Sequence, residues 1–309
     1  SPMTLLIATP GRDTTELADH IRRLAPEADL RIWPALGDPA DIVFVLAWRP
    51  PDGLFRQLPN LRAVSSLGAG VDGLVERNEI AEHVVVGRLA GPRLAADMAA
   101  YLVAVVVAQW RQLPKFIQDQ HEGRWNPRAP ESTPVVGLLG TGQMGQAAAS
   151  AFIALDLSVH GYSRSGRGPE DITMHAGGTG LDEIAGASDF LINLLPLTGS
   201  TRNILDARLF SQMRHGSTLI NVGRGEHLVE QDLLEALAHN RPGHAVLDVF
   251  REEPLPAKHP FWRHPRICIT PHSASVTAPR EAAELALESY RRVMTGKPPL
   301  GCVDRERGY

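Results

Sequence analysis

Three polar side chains in the last third of the chain, Arg224, Glu253 and His272, have the types and positions that chemistry at a carbonyl would need. Arg224 lies in Asn221-Val222-Gly223-Arg224-Gly225, where the glycines let a ligand approach the backbone. Its guanidinium suits a carboxylate and polarises a carbonyl beside it. A purely structural arginine at a helix start is the weaker reading, because a cation there faces the positive end of the dipole. His272, in Thr270-Pro271-His272-Ser273, follows the run Ile267 to Ile269. An imidazole there can act as general acid, giving a proton to the carbonyl oxygen as hydride reaches the carbon. Glu253, in Asp248-Val249-Phe250-Arg251-Glu252-Glu253-Pro254, can accept the second imidazole N–H and fix the tautomer, with Glu252 as the competing solvated acid. Most of the twelve histidines in such a chain are surface residues. His272 stands out only by its place after a strand and its company.

A second constellation concerns phosphate. The run Val135 to Leu139 leads into Gly140-Thr141-Gly142-Gln143-Met144-Gly145, followed by an alanine-rich segment, Gln146 to Ala154, that predicts a helix. A lone G-x-G-x-x-G marks many turns, but between a strand and a helix each glycine has a use. The first makes the turn, the second lets a pyrophosphate approach and the third packs helix on strand. The helix N-terminus then favours the diphosphate. The next strand ends in Tyr162-Ser163-Arg164-Ser165, where an NAD-binding unit would present a carboxylate to the ribose 2′-hydroxyl. Ser163 stands there instead, and Arg164 can bind a 2′-phosphate, with Arg167 nearby as a substitute and a solvated loop cation as the plain alternative. NADP(H) is therefore preferred as cofactor, with NAD(H) the second candidate.

These residues need a scaffold, and the pattern of the chain supplies one. Short aliphatic runs alternate with segments of helical period, predicting α/β architecture with parallel sheets covered on both faces. Strands are predicted at Thr4 to Ala8, Leu30 to Trp33, Ile42 to Leu46, Ala63 to Ser66 and Val84 to Gly87. A second series covers Val135 to Leu139, Leu157 to Tyr162, Phe190 to Asn193, Ser217 to Asn221, Gly243 to Asp248 and Ile267 to Ile269. Between the two series, Leu94 to Trp110 reads as a helix apolar all round, which must be covered by a domain junction or a second subunit. Lys115 to Pro134 has no clear period and reads as an arm, and Ala278 to Met294 predicts the last helix.

Length and composition agree with two domains of about 150 residues each. The chain has 309 residues, 43% of them hydrophobic, and 31 basic against 35 acidic side chains. A mildly acidic balance without a basic run argues against nucleic acid or an anionic membrane as partner. The longest apolar stretch is shorter than the ~20 residues of a membrane span. Two widely spaced cysteines, Cys268 and Cys302, suggest a reducing, cytoplasmic setting. A metal site built from His259, His264, Cys268 and His272 is disfavoured, because Pro265, Pro271 and the β-like Ile267-Cys268-Ile269 exclude the helix that would bring them together. No metal is expected.

Several further motifs stand in order along the chain: Leu67-Gly68-Ala69-Gly70-Val71-Asp72, Asn193-Leu194-Leu195-Pro196-Leu197-Thr198 with Thr201, Leu247-Asp248-Val249-Phe250 through Glu253-Pro254-Leu255-Pro256, and a tail from Val303-Asp304-Arg305 to Gly308-Tyr309. Together with the glycine fingerprint, the Arg224-Gly225 segment and Thr270-Pro271-His272, they resemble the D-2-hydroxyacid dehydrogenases, and within them the glyoxylate/hydroxypyruvate reductase A branch. The resemblance covers nearly the whole chain. It implies Arg224, Glu253 and His272 as the catalytic triad. It also implies cofactor contacts at Gly140, Gly142, Gln143, Met144 and Gly145, at Ser163, Arg164 and Ser165, at Leu195, Pro196 and Thr201, and at Val222, Gly223, Arg224, Asp248 and His272. Asp248 and the Val222 backbone would orient the nicotinamide amide. The substrate carboxylate would be held by backbone N–H groups of Gly68-Ala69-Gly70 next to Leu67, with Arg224 and His272. Trp48, in Trp48-Arg49-Pro50-Pro51, would wall a small pocket.

The resemblance further implies two doubly wound domains with a cleft between them. A flavodoxin-like substrate domain would comprise residues 1–95 with 276–309. A Rossmann dinucleotide-binding domain would span 96–275, its dimerisation helix and arm covering about 96–134 of a homodimer. The expected reaction is NAD(P)H-dependent reduction of glyoxylate and hydroxypyruvate to glycolate and D-glycerate. One alternative keeps the chemistry for bulkier keto acids such as phenylpyruvate. Another, from a different class, is a non-catalytic dinucleotide sensor like the corepressor relatives of the family. Retention of all three chemical residues favours the enzyme.

Overall fold

In a computed structural model, which describes residues 3–306, the aliphatic runs become short parallel strands separated by helices. The Gly308-Tyr309 end of the tail motif lies outside the described residues. The elements begin with β1 (Thr4–Ala8), α1 (Thr15–Leu24), β2 (Asp29–Ile32), β3 (Ile42–Ala47), β4 (Ala63–Ser66), α2 (Asp72–Val75) and β5 (Val85–Arg88). Next come α3 (Leu94–Trp110), α4 (Leu113–His121), β6 (Val135–Leu139), α5 (Gln143–Ile153), β7 (Ser158–Tyr162), β8 (Thr173–His175), α6 (Gly177–Ala187) and β9 (Phe190–Asn193). The series closes with α7 (Ala207–Gln212), β10 (Thr218–Asn221), α8 (Glu230–Ala238), β11 (His244–Leu247), β12 (Ile267–Ile269) and α9 (Pro279–Met294).

The chain divides into two compact units, residues 1–94 with 276–309 and residues 95–275. In the first, five parallel strands run in the order β2-β1-β3-β4-β5. The two-residue period of the strands splits their side chains between two cores. Leu5, Ile7, Phe44 and Leu46 pack with Leu17 and Ile21 of α1 and with Ala282, Ala286 and Leu287 of α9. Leu6, Ala8, Val45 and Ala47 pack with Leu54, Phe55 and Ile80 on the opposite face. Each fully buried leucine or isoleucine contributes roughly 1.5–3 kcal/mol. That burial is what brings the last helix back to the first domain.

In the second unit seven parallel strands run β12-β11-β10-β9-β6-β7-β8, and the same alternation operates. Leu138, Ile192, Ile220 and Val246 enter one core with Met98, Leu102 and Val106 of α3. Leu139, Leu191, Leu219 and Leu247 enter the other with α6, α7 and α8. Each sheet has one point where the strand order reverses, between β1 and β3 in the first and between β6 and β9 in the second. Open α/β sheets bind ligands at the carboxyl ends of the strands around such points.

Predicted strand bounds differ from the structure by about one residue, the usual uncertainty at element ends. Three differences are larger. The strand β8, only three residues long, has no counterpart in the sequence reading, because Met174 alone cannot register a two-residue period. α5 begins at Gln143 and not Gln146, since the last three fingerprint residues form its first turn. The arm predicted from Lys115 begins as the helix α4. Pro114 is tolerated in its first turn, and the buried Asp119 is paired with Arg124 at 3.0 Å and Arg128 at 2.9 Å.

The outer side of α3 is apolar and uncovered within this chain, with Ala96, Ala100 and Ala104 exposed. Leu113, Ile117 and Trp125, the last 95% exposed, follow it. Among the described residues no single helix is long and apolar enough to cross a membrane.

Candidate active site

At the carboxyl end of β6, Gly140 adopts φ +103°, a conformation that side chains rarely allow, and this turns the chain into α5. Gly145 lies against that turn so closely that a Cβ would stand 2.2 Å from the Gly140 carbonyl oxygen. A Cβ on Gly142, in contrast, would meet nothing within 4 Å. Gly142 is exposed and caps α5 without a side-chain hydrogen bond, so the first N–H groups of the helix have no acceptor within the helix or from a capping side chain. The loop thus has the room, the unsatisfied donors and the dipole that a pyrophosphate requires.

The turn after β7 is folded on itself. The Ser163 hydroxyl donates to the Arg167 carbonyl at 2.8 Å, and the Gly166 N–H donates to Ser163 at 3.2 Å. The Arg164 side chain is exposed there, as are Ser165 and Arg167, and no acidic side chain occupies the position after Tyr162. After β9, Leu195 donates its N–H to Asn193 Oδ1 at 3.2 Å, and the Thr201 hydroxyl donates to the Pro196 carbonyl at 2.6 Å.

The carboxyl ends of β10, β11 and β12 are neighbours, and they carry the three chemical residues. A buried amide ladder shapes the first loop: Asn193 Nδ2 donates to Asn221 Oδ1 at 3.0 Å, and that oxygen also accepts the Gly223 N–H at 3.2 Å. The Arg224 N–H donates to Nδ1 of buried His227 at 3.0 Å, while His227 Nε2 is 3.2 Å from the Pro196 carbonyl. These partners fix His227 as the neutral Nε2–H tautomer. The Arg224 Nη1 donates to the Gly223 carbonyl at 2.8 Å. Gly225 follows, where a Cβ would overlap the backbone of Phe250 on the next loop.

His272 and Glu253 are in direct contact, with Nδ1 2.7 Å from Oε2. The second carboxylate oxygen of Glu253 accepts the Phe250 N–H at 2.9 Å, so both oxygens are engaged and the side chain is fixed. Side-chain exposures of 24% for His272 and 15% for Glu253 leave the imidazole reachable and its partner mostly covered. Glu252 is exposed and lies outside this pair. Asp248, at the end of β11, is buried and accepts from Thr270 at 2.6 Å, Ser273 at 2.8 Å and Ala274 at 3.0 Å. Val222 is buried at the start of the Arg224 loop.

In the first unit, the carboxyl edge of the five-stranded sheet carries the other expected substrate residues. Leu67 continues β4 by donating its N–H to Ala47 at 2.9 Å, and the loop Gly68-Ala69-Gly70 is pinned by the Ser66 hydroxyl, which donates to the Gly70 carbonyl at 2.6 Å. Trp48 leaves β3 at the β1/β3 reversal. Its ring lies 3.1 Å from where a Gly68 Cβ would stand, so any larger residue there would have to push the indole back by a few tenths of an ångström. Arg12 places its guanidinium 4.8 Å from the centre of the same ring.

Residues 103–274 match the family model for the NAD-binding domain of D-isomer specific 2-hydroxyacid dehydrogenases. Over 99% of its length the chain is 33% identical to glyoxylate/hydroxypyruvate reductase A of Yersinia enterocolitica and 35% identical to that of Serratia proteamaculans, covering 100% of each. The chain belongs to the D-isomer specific 2-hydroxyacid dehydrogenase family.

Solved members of this family share the whole architecture. A D-isomer specific 2-hydroxyacid dehydrogenase from Xanthobacter autotrophicus, crystallised with NADPH, superposes with a TM-score of 0.87 at 35% identity and full coverage of both chains. An NADPH-dependent glyoxylate/hydroxypyruvate reductase from Sinorhizobium meliloti, crystallised with NADP, gives 0.89 at 30% identity over 99% of both chains. The fold expected from the sequence, two parallel-sheet α/β domains, is the one these dehydrogenases have.

Two residues of this 2-hydroxyacid dehydrogenase escape sequence reasoning. Arg12 belongs to no motif, and its guanidinium stands beside the Trp48 ring. Tyr101 sits within an apolar helix, and its hydroxyl reaches Thr270 Oγ1 at 2.7 Å. Among the described residues no group of three or more His, Cys, Asp or Glu side chains could hold a metal ion; His259 pairs with Glu230 at 2.8 Å, and Cys268, on β12, is exposed.

Proposed function

We propose that this dehydrogenase is an NADPH-preferring reductase of short 2-keto acids, with glyoxylate and hydroxypyruvate as substrates and glycolate and D-glycerate as products. The observation that carries the reading is the His272–Glu253 pair, an accessible imidazole held by a covered carboxylate, at the edge of a dinucleotide-binding sheet. Bound reduced nicotinamide supplies the hydride to the keto carbon. His272 delivers a proton from Nε2 to the carbonyl oxygen as negative charge develops there, which avoids a free alkoxide. Glu253 holds Nδ1 protonated and stabilises the imidazolium from which that proton leaves. Arg224 grips the carboxylate and polarises the carbonyl, and the backbone N–H groups of the Gly68-Ala69-Gly70 loop bind the same carboxylate. Trp48 would wall a small substrate pocket, which favours small substrates.

Preference for NADPH is supported by Arg164 and the missing carboxylate after β7, and by the NADPH- and NADP-bound relatives. The uncovered apolar side of α3 and the exposed Trp125 support a homodimer formed through residues 96–134. The protein works in the cytoplasm, with a small molecule and not nucleic acid or membrane as its partner. The test is His272→Ala. It should keep NADPH binding and lose keto-acid reduction by about 100-fold or more, the usual contribution of a positioned general acid. Near-normal turnover would remove His272 from the mechanism.

A further inference from the structure

Tyr101 has no place in the reaction outlined above, yet it ends a chain of hydrogen bonds that reaches the loop of His272. Its hydroxyl is 2.7 Å from Thr270 Oγ1, which is 2.6 Å from Asp248 Oδ1. The direction of this chain follows from the inventory of protons. An ionised carboxylate only accepts, so Thr270 spends its one proton on Asp248, and Tyr101 must donate to Thr270. Burial of the Tyr101 ring pushes its phenol up to about 12, so the donor is retained throughout the working range of pH.

Asp248 in turn holds the segment on both sides of His272. Its carbonyl accepts the His272 N–H at 2.8 Å, and its carboxylate accepts the N–H groups of Ser273 and Ala274 and the Thr270 hydroxyl. His272 itself adopts φ +51°, in the left-handed region that a non-glycine residue occupies only when its surroundings impose it. A strained backbone at a proton donor needs bracing from more than one direction. Asp248 provides it from β11, and Tyr101 provides it from α3.

We propose that Tyr101, acting through Thr270 and Asp248, is a positioning residue that fixes the backbone of His272 for proton transfer. The inference rests on the reading of His272 as proton donor. Its test therefore combines kinetics with a readout independent of turnover. Tyr101→Phe, Thr270→Val, Thr270→Ser and the Phe/Val double variant would be compared in glyoxylate reduction with NADPH and in amide hydrogen exchange of the peptide containing Ser273 and Ala274.

Tyr101→Phe removes one neutral hydrogen bond and should lower kcat by about two- to tenfold, with KM for glyoxylate retained and exchange at Ser273 and Ala274 accelerated. Thr270→Val should do the same more strongly, and Thr270→Ser, which keeps the hydroxyl, should behave as wild type. In the Val background the Phe change should add little, because both act through one chain. Wild-type kcat and exchange in Tyr101→Phe would overturn the proposal, and so would additive effects, or a lower melting temperature with kcat unchanged. If the wild-type protein reduced no keto acid, the functional reading would fall, while the exchange measurement would still decide whether Tyr101 braces this loop.

Discussion

Replacing Glu253 with Gln isolates the role of the carboxylate beside His272. The two acceptor oxygens of Glu253 serve two donors, His272 Nδ1 at 2.7 Å and the Phe250 N–H at 2.9 Å. Glutamine has the same shape but a single acceptor, so one partner must face an NH2 group. If the amide oxygen stays on Phe250, the NH2 meets Nδ1, which can then only accept, and the imidazole is held neutral. If the amide flips, the covered Phe250 N–H loses its acceptor. Either way the imidazolium loses its ionised carboxylate partner, and the charge-assisted bond between them contributes about 1.5–3 kcal/mol. At 1.36 kcal/mol per factor of ten this is about a 10- to 150-fold fall in kcat. Steady-state NADPH consumption with saturating glyoxylate reads the effect, and cofactor fluorescence checks that NADPH still binds. A folded Glu253→Gln protein with wild-type kcat would refute the assignment of Glu253 as the partner that prepares His272.

Other consequences follow from the same structure. Arg164→Asp replaces a guanidinium able to bind a 2′-phosphate with a carboxylate that repels it. The ratio of kcat/KM for NADPH over NADH should fall by at least about tenfold, and an unchanged ratio would exclude Arg164 as the reader of the phosphate. His160 and His244 both have pKa values lowered primarily by burial, assisted by His175 and Arg266 respectively. Below the ordinary histidine pKa of about 6.5 the unfolded chain therefore binds more protons than the folded one, and stability present above that value is lost as the pH falls through it. Melting temperature should decline from pH 7.5 to pH 5.5, about one unit either side of that value. His160→Gln should flatten the decline; an equally steep profile would show that this histidine does not carry it.

The sheets were legible in the sequence because each core strand splits its side chains between two apolar clusters, which leaves an aliphatic run too regular to miss. Leu138 and Leu139, adjacent in sequence and in different cores, are the clearest case. Where that signal is weak the pattern is lost, as at β8, whose three residues bury little, and at α4, whose proline and charges hide a helix anchored by Asp119. The glycine fingerprint was readable because geometry restricts its residues: Gly140 must turn with positive φ and Gly145 must touch the Gly140 carbonyl. The His272–Glu253 contact followed from chemical type, since a proton donor calls for a carboxylate. Arg12 and Tyr101 could not be found this way. Their partners, Trp48 and Thr270, lie far away in sequence and become neighbours only when the strands assemble.

NADPH-dependent reduction of small 2-keto acids is decided by one panel of substrates. Purified protein would be assayed with glyoxylate, hydroxypyruvate, pyruvate and phenylpyruvate, each with NADPH and with NADH. Glyoxylate or hydroxypyruvate with NADPH should give the highest kcat/KM, and hydroxypyruvate should yield D-glycerate. Highest efficiency with phenylpyruvate, a preference for NADH, or cofactor binding without turnover of any keto acid would contradict it.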